Sequence, residues 1–342
     1  MSDSTAIEWT DATWNPVTGC TRVSPGCANC YIERTPPFRM AGRRFVAIAG
    51  ASTTGVQFHR DRLEQPLSWR RPRRVFVCSL ADLFHDDVDE GDIRDVFTTM
   101  ARAPQHTFQV LTKRPERARQ LFERGVLASR WVTEWPLPNV WLGVSIENAR
   151  FTWRADVLRE IPAAVRFISA EPLLGSLFPT DARRMGPRGE FPQWAGPLDL
   201  TEIDWVIIGG ESGPGARPFH LEHAREIIAA AACPGCVADP DVDESIREPG
   251  RAPVAALGVG FRAPRRITST TPLMGVNACA ECLGHPGHRP AVFVKQLGAK
   301  PTYGFAGEPL IRMPLDLNDR KGGDIDEWPA DLRIREFPRS AA

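Results

Sequence analysis

No apolar run in the 342 residues approaches the roughly 20 that a bilayer-spanning helix needs. That excludes helical membrane insertion and any membrane partnership through it. Net charge is also lacking: 42 lysines and arginines stand against 42 aspartates and glutamates. Binding nucleic acid by bulk basicity is therefore excluded, while local patches stay open. The first residues, Met1-Ser-Asp-Ser-Thr-Ala-Ile-Glu8, carry acids and no apolar core, so no secretory leader is expected and the cytoplasm is the expected compartment. Thiols stay reduced there, which turns eight cysteines towards metal ligation rather than disulfides.

Three cysteines, Cys20, Cys27 and Cys30, fall within eleven residues of a segment held open by Gly19, Pro25 and Gly26. A loop of this kind can wrap three thiolates around one small centre. Three sulfurs leave a tetrahedral ion, or one iron of a four-iron cluster, with an open position, whereas structural sites are closed. The bland alternative is one disulfide and one spare thiol. Cys233, Cys236, Cys279 and Cys282 form two Cys-x-x-Cys pairs, a complete sulfur set for zinc. An auxiliary iron–sulfur cluster and unliganded thiols are the competing readings. His285 and His288 lie near enough to replace a cysteine, or read as solvated loop residues, the commoner case. Cys78, directly after an apolar run, reads as a buried strand-end thiol.

Short, nearly continuous apolar runs recur at Val75–Val77, Thr107–Leu111, Val140–Val144, Val165–Ile168, Trp205–Ile208 and Ala291–Val294, as strands buried on both faces do. A first strand is expected near Thr13–Val17. Helical stripes lie between several runs: Ile93, Val96, Phe97 and Met100; Pro115 through Phe122 with Gly125 as stop; Trp153, Val157 and Ile161; Leu221, Ala224, Ile228 and Ala231. Strand–helix alternation predicts an α/β fold with a parallel sheet, a partial or full (β/α) barrel. An open doubly wound sheet is the runner-up. The reading places residues 1–232 and 291–342 in the barrel and residues 233–290 in an inserted zinc-ribbon-like module. Residues 179–200 read as a Pro/Gly-rich surface loop.

Polar groups follow each run at once: Ser79 and Asp82; Lys113; Ser145, Glu147 and Asn148; Glu171; Gly209, Gly210 and Glu211; Lys295. In a parallel barrel these strand ends share one mouth, and the three-cysteine loop follows the first strand into it. Two basic stretches, Trp69–Arg74 and Phe261–Arg266, read as phosphate contacts or as solvated surface.

Cys20-x6-Cys27-x2-Cys30-Tyr31 resembles the cluster loop of radical S-adenosylmethionine enzymes. Together with Ile7 to Cys20, Val23-Ser-Pro-Gly-Cys27, Ser79 to Phe84, Leu111 to Pro115, Gly143 to Asn148, Ser169 to Gly175, Gly209 to Gly213, Lys295 to Gly298 and Lys321 to Pro329, it resembles a phage-associated three-cysteine-motif family that is radical-SAM-like. The first cysteine gap is longer than the usual Cys-x3-Cys. Gly209-Gly-Glu211 follows a late strand, where the usual motif follows an early one. The resemblance implies a barrel of radical-SAM type. It implies a [4Fe–4S] cluster on Cys20, Cys27 and Cys30, with S-adenosylmethionine chelated by the fourth iron and cleaved to a 5′-deoxyadenosyl radical that abstracts hydrogen. An electron donor such as flavodoxin or ferredoxin would reduce the cluster. Ser79, Asp82, Ser145, Glu147, Asn148, Gly209, Gly210 and Glu211 are the expected cofactor-binding positions, with Glu211 at the methionine ammonium and Ser79 and Asp82 its competitors. Lys113, Glu171 and Lys295 are the expected catalytic groups. A nucleic acid or nucleotide is the expected substrate, in repair or modification. The alternative class is a non-enzymatic, metal-stabilised nucleic-acid-binding protein.

Overall fold

The structure is a computed structural model that describes residues 5–178, 197–232, 290–305 and 308–338. The C-terminal cysteine pairs, His285, His288, Phe261–Arg266 and most of the loop expected over 179–200 lie outside these residues.

Seven strands form one all-parallel sheet, curled as a half-barrel: β1 Ala12–Trp14, β2 Arg74–Val77, β3 Thr107–Thr112, β4 Val140–Ser145, β5 Val165–Ala170, β6 Trp205–Gly209 and β7 Ala291–Gln296. Their spatial order is their chain order. A doubly wound sheet would reverse direction at a switch point; this one never does. β1 and β7 sit at opposite edges, so the barrel is partial. The expected first strand is shorter and earlier than Thr13–Val17. Val17–Thr18 instead pairs antiparallel with Gln57–Phe58. The free edge of β7 is covered by the C-terminal segment, through Val294 N to Ile334 O at 2.8 Å and Glu336 N to Val292 O at 2.8 Å. Covering it removes a row of unpaired backbone groups.

Four helices cover the outer face: α1 Glu90–Ala101, α2 Pro115–Glu123, α3 Trp153–Arg159 and α4 Leu221–Ala231. α1 begins where the Asp89 carboxylate accepts from Gly91 N at 2.7 Å, and it buries Ile93, Val96, Phe97 and Met100. α2 starts on Pro115, whose missing N–H is an unused donor at that position. It stops at Gly125, in the left-handed region at φ +66°. α4 buries Leu221, Ala224, Ile227 and Ala231, so the apolar stripe passes through Ile227, with the expected Ile228 only partly buried.

Alternation along each strand sends one set of side chains to the helices and the other into the barrel. Val75, Val77, Leu142, Val144, Val206 and Ile208 join the helix-side core. Phe76, Trp141, Phe167, Trp205 and Phe293 point inward and enclose Trp9. Ring centroids lie 4.7 Å apart for Trp9–Phe76, 6.1 Å for Trp9–Trp205 and 6.0 Å for Trp141–Trp205, within the range of favourable aromatic pairs. Further along the same inward rows the side chains turn polar, at Ser145, Ser169 and Lys295. The interior therefore runs from an aromatic plug near the strand starts to a polar mouth at the strand ends.

Gly143 is the inward residue beside Phe167, and a Cβ there would stand 2.4 Å from the ring. Gly143→Ala should lose about 1–3 kcal/mol in urea unfolding, the cost of overpacking a dense core. In a Phe167→Leu background, which trims the ring, the same change should cost markedly less. Equal costs in the two backgrounds would refute this packing role.

Candidate active site at the strand ends

The loop from Cys20 to Cys30 leaves β1 and lies across the carboxyl ends of the sheet, tied down strand by strand. Gly19 N bonds Leu80 O at 2.9 Å, and the Tyr31 hydroxyl donates to Ser79 O, both just after β2. After β3, Arg114 Nη2 reaches Thr21 O at 3.2 Å. After β4, the Glu147 carboxylate accepts from Gly26 N at 3.3 Å. After β6, Glu211 accepts from Asn29 Nδ2 at 2.9 Å, and Arg217 Nη1 donates to Pro25 O at 2.9 Å. Gly19, at φ +97°, has the Gly55 carbonyl where a Cβ would project, so no other residue fits where the chain enters the loop.

Cys20, Cys27 and Cys30 are free, partly exposed thiols. Burial raises the pKa of Cys30 and pushes Cys20 up to about 11, and the charge of Cys27 adds a smaller rise at each. Cations back the thiols. Arg114 Nη1 lies 3.9 Å from Cys20 Sγ. Lys113 and Arg22 oppose the rise at Cys30. Arg154, almost fully buried, lies within electrostatic range of Cys27, whose charge acts to raise the Arg154 pKa. Among the described residues, no three His, Cys, Asp or Glu side chains converge as a site for a single ion. Thiols that hold a multi-iron cluster bind its separate irons and need not meet at one point. The donor set fits such a group: three sulfurs on one loop, with guanidinium and ammonium charge to balance thiolates.

The expected polar groups do share this mouth, with different tasks. Asp82 is a buried hub. It accepts from Thr112 Oγ1 at 2.7 Å, Lys113 N at 2.9 Å, Phe84 N at 3.0 Å and Arg114 Nη1 at 3.2 Å. Burial works against the Arg114 charge, and Asp82 and Cys20 outweigh it, so that its pKa is raised. Ser79 Oγ donates to Asn15 Oδ1 at 3.2 Å. Asn148 caps the short turn at Ala149–Phe151 by accepting from Arg150 N at 3.0 Å. Glu147, fully buried, pairs with Arg154 at 3.0 Å, and Arg154 also donates to Ser145 O at 2.7 Å. Burial lowers the Arg154 pKa against the pull of Glu147.

Glu211 is clamped by Arg217, through Arg217 N at 2.8 Å, Nε at 3.1 Å and a further contact from Nη2, in addition to Asn29. Burial opposes its charge, and these bonds more than offset it, so the Glu211 pKa is lowered. Gly209 and Gly210 serve close packing: a Cβ on Gly210 would stand 2.7 Å from Leu297 O. Three groups keep lighter commitments. Lys295 meets Glu171, and both side chains are about one-fifth exposed. Lys113 Nζ donates to Ser145 Oγ at 2.9 Å. Cys78 is buried after β2, with φ +58° and a raised pKa caused by burial.

Sequence reasoning missed Arg114, Arg154, Asn29 and Arg217. Arg154 carried a signal: it stands between Trp153 and Ala155 in a short amphipathic helix, and the structure buries it over the Phe151 ring at 4.3 Å. Trp69–Arg74 leads into the start of β2, at the end of the sheet away from the mouth. There Arg74 pairs with Asp11 at 2.8 Å, and Arg73 lies over Trp69 at 4.9 Å.

A family model described as "Protein of unknown function (DUF5131)" matches residues 4–236. No curated protein and no solved structure matches the chain. No helix among the described residues is long and apolar enough to cross a membrane.

Two outcomes follow from the buried groups. Arg154→Met leaves the Glu147 charge unpaired and should cost about 3–5 kcal/mol in urea unfolding. Adding Glu147→Gln should recover a large part of that loss. In the metal-free protein, the unfolded Cys20 thiol ionises at lower pH than the folded one. Its contribution to stability is complete below the ordinary value of 9.0 and is lost as pH rises through about 11. Thermal denaturation across that window should show a steeper fall for the wild type than for Cys20→Ser; parallel profiles would contradict the burial of this thiol.

Proposed function

The chain belongs to the family described as protein of unknown function (DUF5131), and we propose that it is an iron–sulfur enzyme of radical S-adenosylmethionine type, acting at the mouth of its half-barrel. One observation carries the reading: a loop bearing three free cysteines is bonded to the ends of β2, β3, β4 and β6 and backed by Arg114, Arg154 and Lys113. Three thiolates leave one iron of a [4Fe–4S] cluster without a protein ligand. When bound, the cluster would supply the electron for reductive cleavage of the sulfonium of S-adenosylmethionine, drawn from a donor such as flavodoxin or ferredoxin.

The chain's own residues bind, orient and exclude water. Cys20, Cys27 and Cys30 would hold the cluster, and Arg114 and Arg154 would offset its negative charge. Glu211, engaged by Arg217 and Asn29, anchors the loop and is not free to receive an ammonium. That task passes to Glu171, which has one ammonium partner already, Lys295. Lys295 and Lys113 suit a carboxylate. Together the three groups match the zwitterionic end of an amino acid. The aromatic plug closes the barrel floor and keeps water from entering below. A nucleic acid or nucleotide is the proposed substrate class. In the competing reading, a non-enzymatic nucleic-acid-binding protein, the triplet would hold a closed metal site and the mouth would bind no S-adenosylmethionine.

Anaerobic reconstitution should load about four irons per chain at the triplet. Cys20→Ala, Cys27→Ala and Cys30→Ala should each remove them by metal analysis and electron paramagnetic resonance. Glu171→Gln should keep the iron and weaken equilibrium binding of S-adenosylmethionine about tenfold or more, as loss of a charge-assisted bond does. Glu211→Gln should instead lower iron loading by loosening the loop. The reverse pattern would return the ammonium site to Glu211, and full iron in a triple cysteine variant would end the cluster assignment.

A further inference from the structure

The chain is neutral overall, and its charge is unevenly spread. Between Cys20 and His59 it holds five arginines, Arg22, Arg34, Arg39, Arg43 and Arg44, against one acid, Glu33: a net of four positive charges. Glu33 is spent on the backbone N–H of Phe45. Elsewhere Arg60, Arg74, Arg124 and Arg225 each meet a carboxylate. Among the described residues, none of the five arginines does. Arg34, Arg39 and Arg44 are exposed. Arg22 lies over the Phe45 ring at 4.2 Å and Arg43 over Phe38 at 4.5 Å.

This segment flanks the mouth. Its hairpin, Val46–Ile48 with Ala51–Thr53, is joined to the cysteine loop by Arg22 N to Ser52 O at 2.8 Å and Thr54 N to Cys20 O at 3.0 Å. Arg34 reaches across to Gly213, beyond β6, where an added Cβ would collide with its guanidinium. Large apolar side chains stand in water among the cations: Met40 is 83% exposed, Ile48 57% and Val46 52%. Exposed arginines without carboxylate partners fit a polyanion, and an apolar surface interleaved with them fits the faces of unpaired bases.

We propose that residues 22–48 form a docking surface for single-stranded nucleic acid, with Arg34, Arg39 and Arg44 on its phosphates and the exposed apolar groups under its bases, so that the strand lies across the rim of the cysteine mouth. The placement of a reacting nucleotide rests on the enzyme reading above; the docking itself needs no cluster.

The test is fluorescence anisotropy with the metal-free full chain and a labelled single strand of about 20 nucleotides, longer than a typical strand-binding footprint. Binding should weaken with salt. The triple variant Arg34→Ala/Arg39→Ala/Arg44→Ala should bind at least tenfold more weakly, with a log–log salt slope smaller by about 2, since each lost phosphate contact removes about 0.7. Arg70→Ala/Arg71→Ala, exposed at the opposite end of the sheet, should bind as the wild type does. Circular dichroism should show all three proteins equally folded. Met40→Ser/Ile48→Ser should weaken binding while leaving the salt slope unchanged. A duplex bound as tightly as the single strand, a triple variant that binds normally, or preference for anionic phospholipid vesicles over the oligonucleotide would each overturn the proposal. Because no cluster is present, these results stand apart from whether S-adenosylmethionine is cleaved.

Discussion

The buried ion pair between Glu147 and Arg154 holds the mouth together. Both groups are almost wholly out of water, and removing such charges from solvent costs several kcal/mol per ion before their attraction offsets it. Two apolar residues in their place would stabilise the fold at least as well. What they would not provide is the set of bonds the pair makes. Glu147 accepts from the cysteine loop at Gly26, and Arg154 donates to the end of β4 at Ser145 O and lies within electrostatic range of Cys27. One pair thus links α3, β4 and the loop. The same construction recurs one strand away, where Asp82 gathers Arg114, Lys113 N and Thr112 beneath Cys20. The loop's position is set from below by charges that have no solvent to relax into.

This arrangement depends on the barrel interior changing character along its axis. The inward rows start with Trp141, Phe167 and Trp205 around Trp9 and end with serines and a lysine. The aromatic end needs Gly143, because Phe167 occupies the place of its side chain. The cysteine loop lies over the other end, where it bonds to Glu147, Glu211 and Arg114. In a parallel sheet every strand ends at the same rim, so short polar tails on separate runs become one site.

The strands were legible because both faces of each are buried, which makes the runs nearly continuous in apolar residues, as in Trp205–Gly209. The mouth was legible for the same topological reason. Individual roles were not. Glu211 reads as a free carboxylate beside two glycines; its commitment depends on Arg217 and Asn29, the latter 182 residues away in sequence. Asp82 and Asn148 read as ligand groups, and each satisfies local backbone donors. Trp69–Arg74 reads from sequence as a phosphate contact or as solvated surface. Its position before a strand places it at the far end of the sheet, whereas the scattered arginines of residues 22–44 lie beside the mouth. Clustering of arginines in sequence does not tell which end of the sheet they reach.

The three cysteines sit between burial and nearby cations. Burial raises the pKa of Cys20 and of Cys30 in the absence of metal, while Arg114 stands beside Cys20, Lys113 acts on Cys30 and Arg154 lies within electrostatic range of Cys27. Ligation by the proposed cluster would release the protons and add negative charge beside cations already paired with Asp82 and Glu147. With or without metal, bonds from Glu147 and Glu211 and from Arg114, itself held by Asp82, tie the loop to the strand ends.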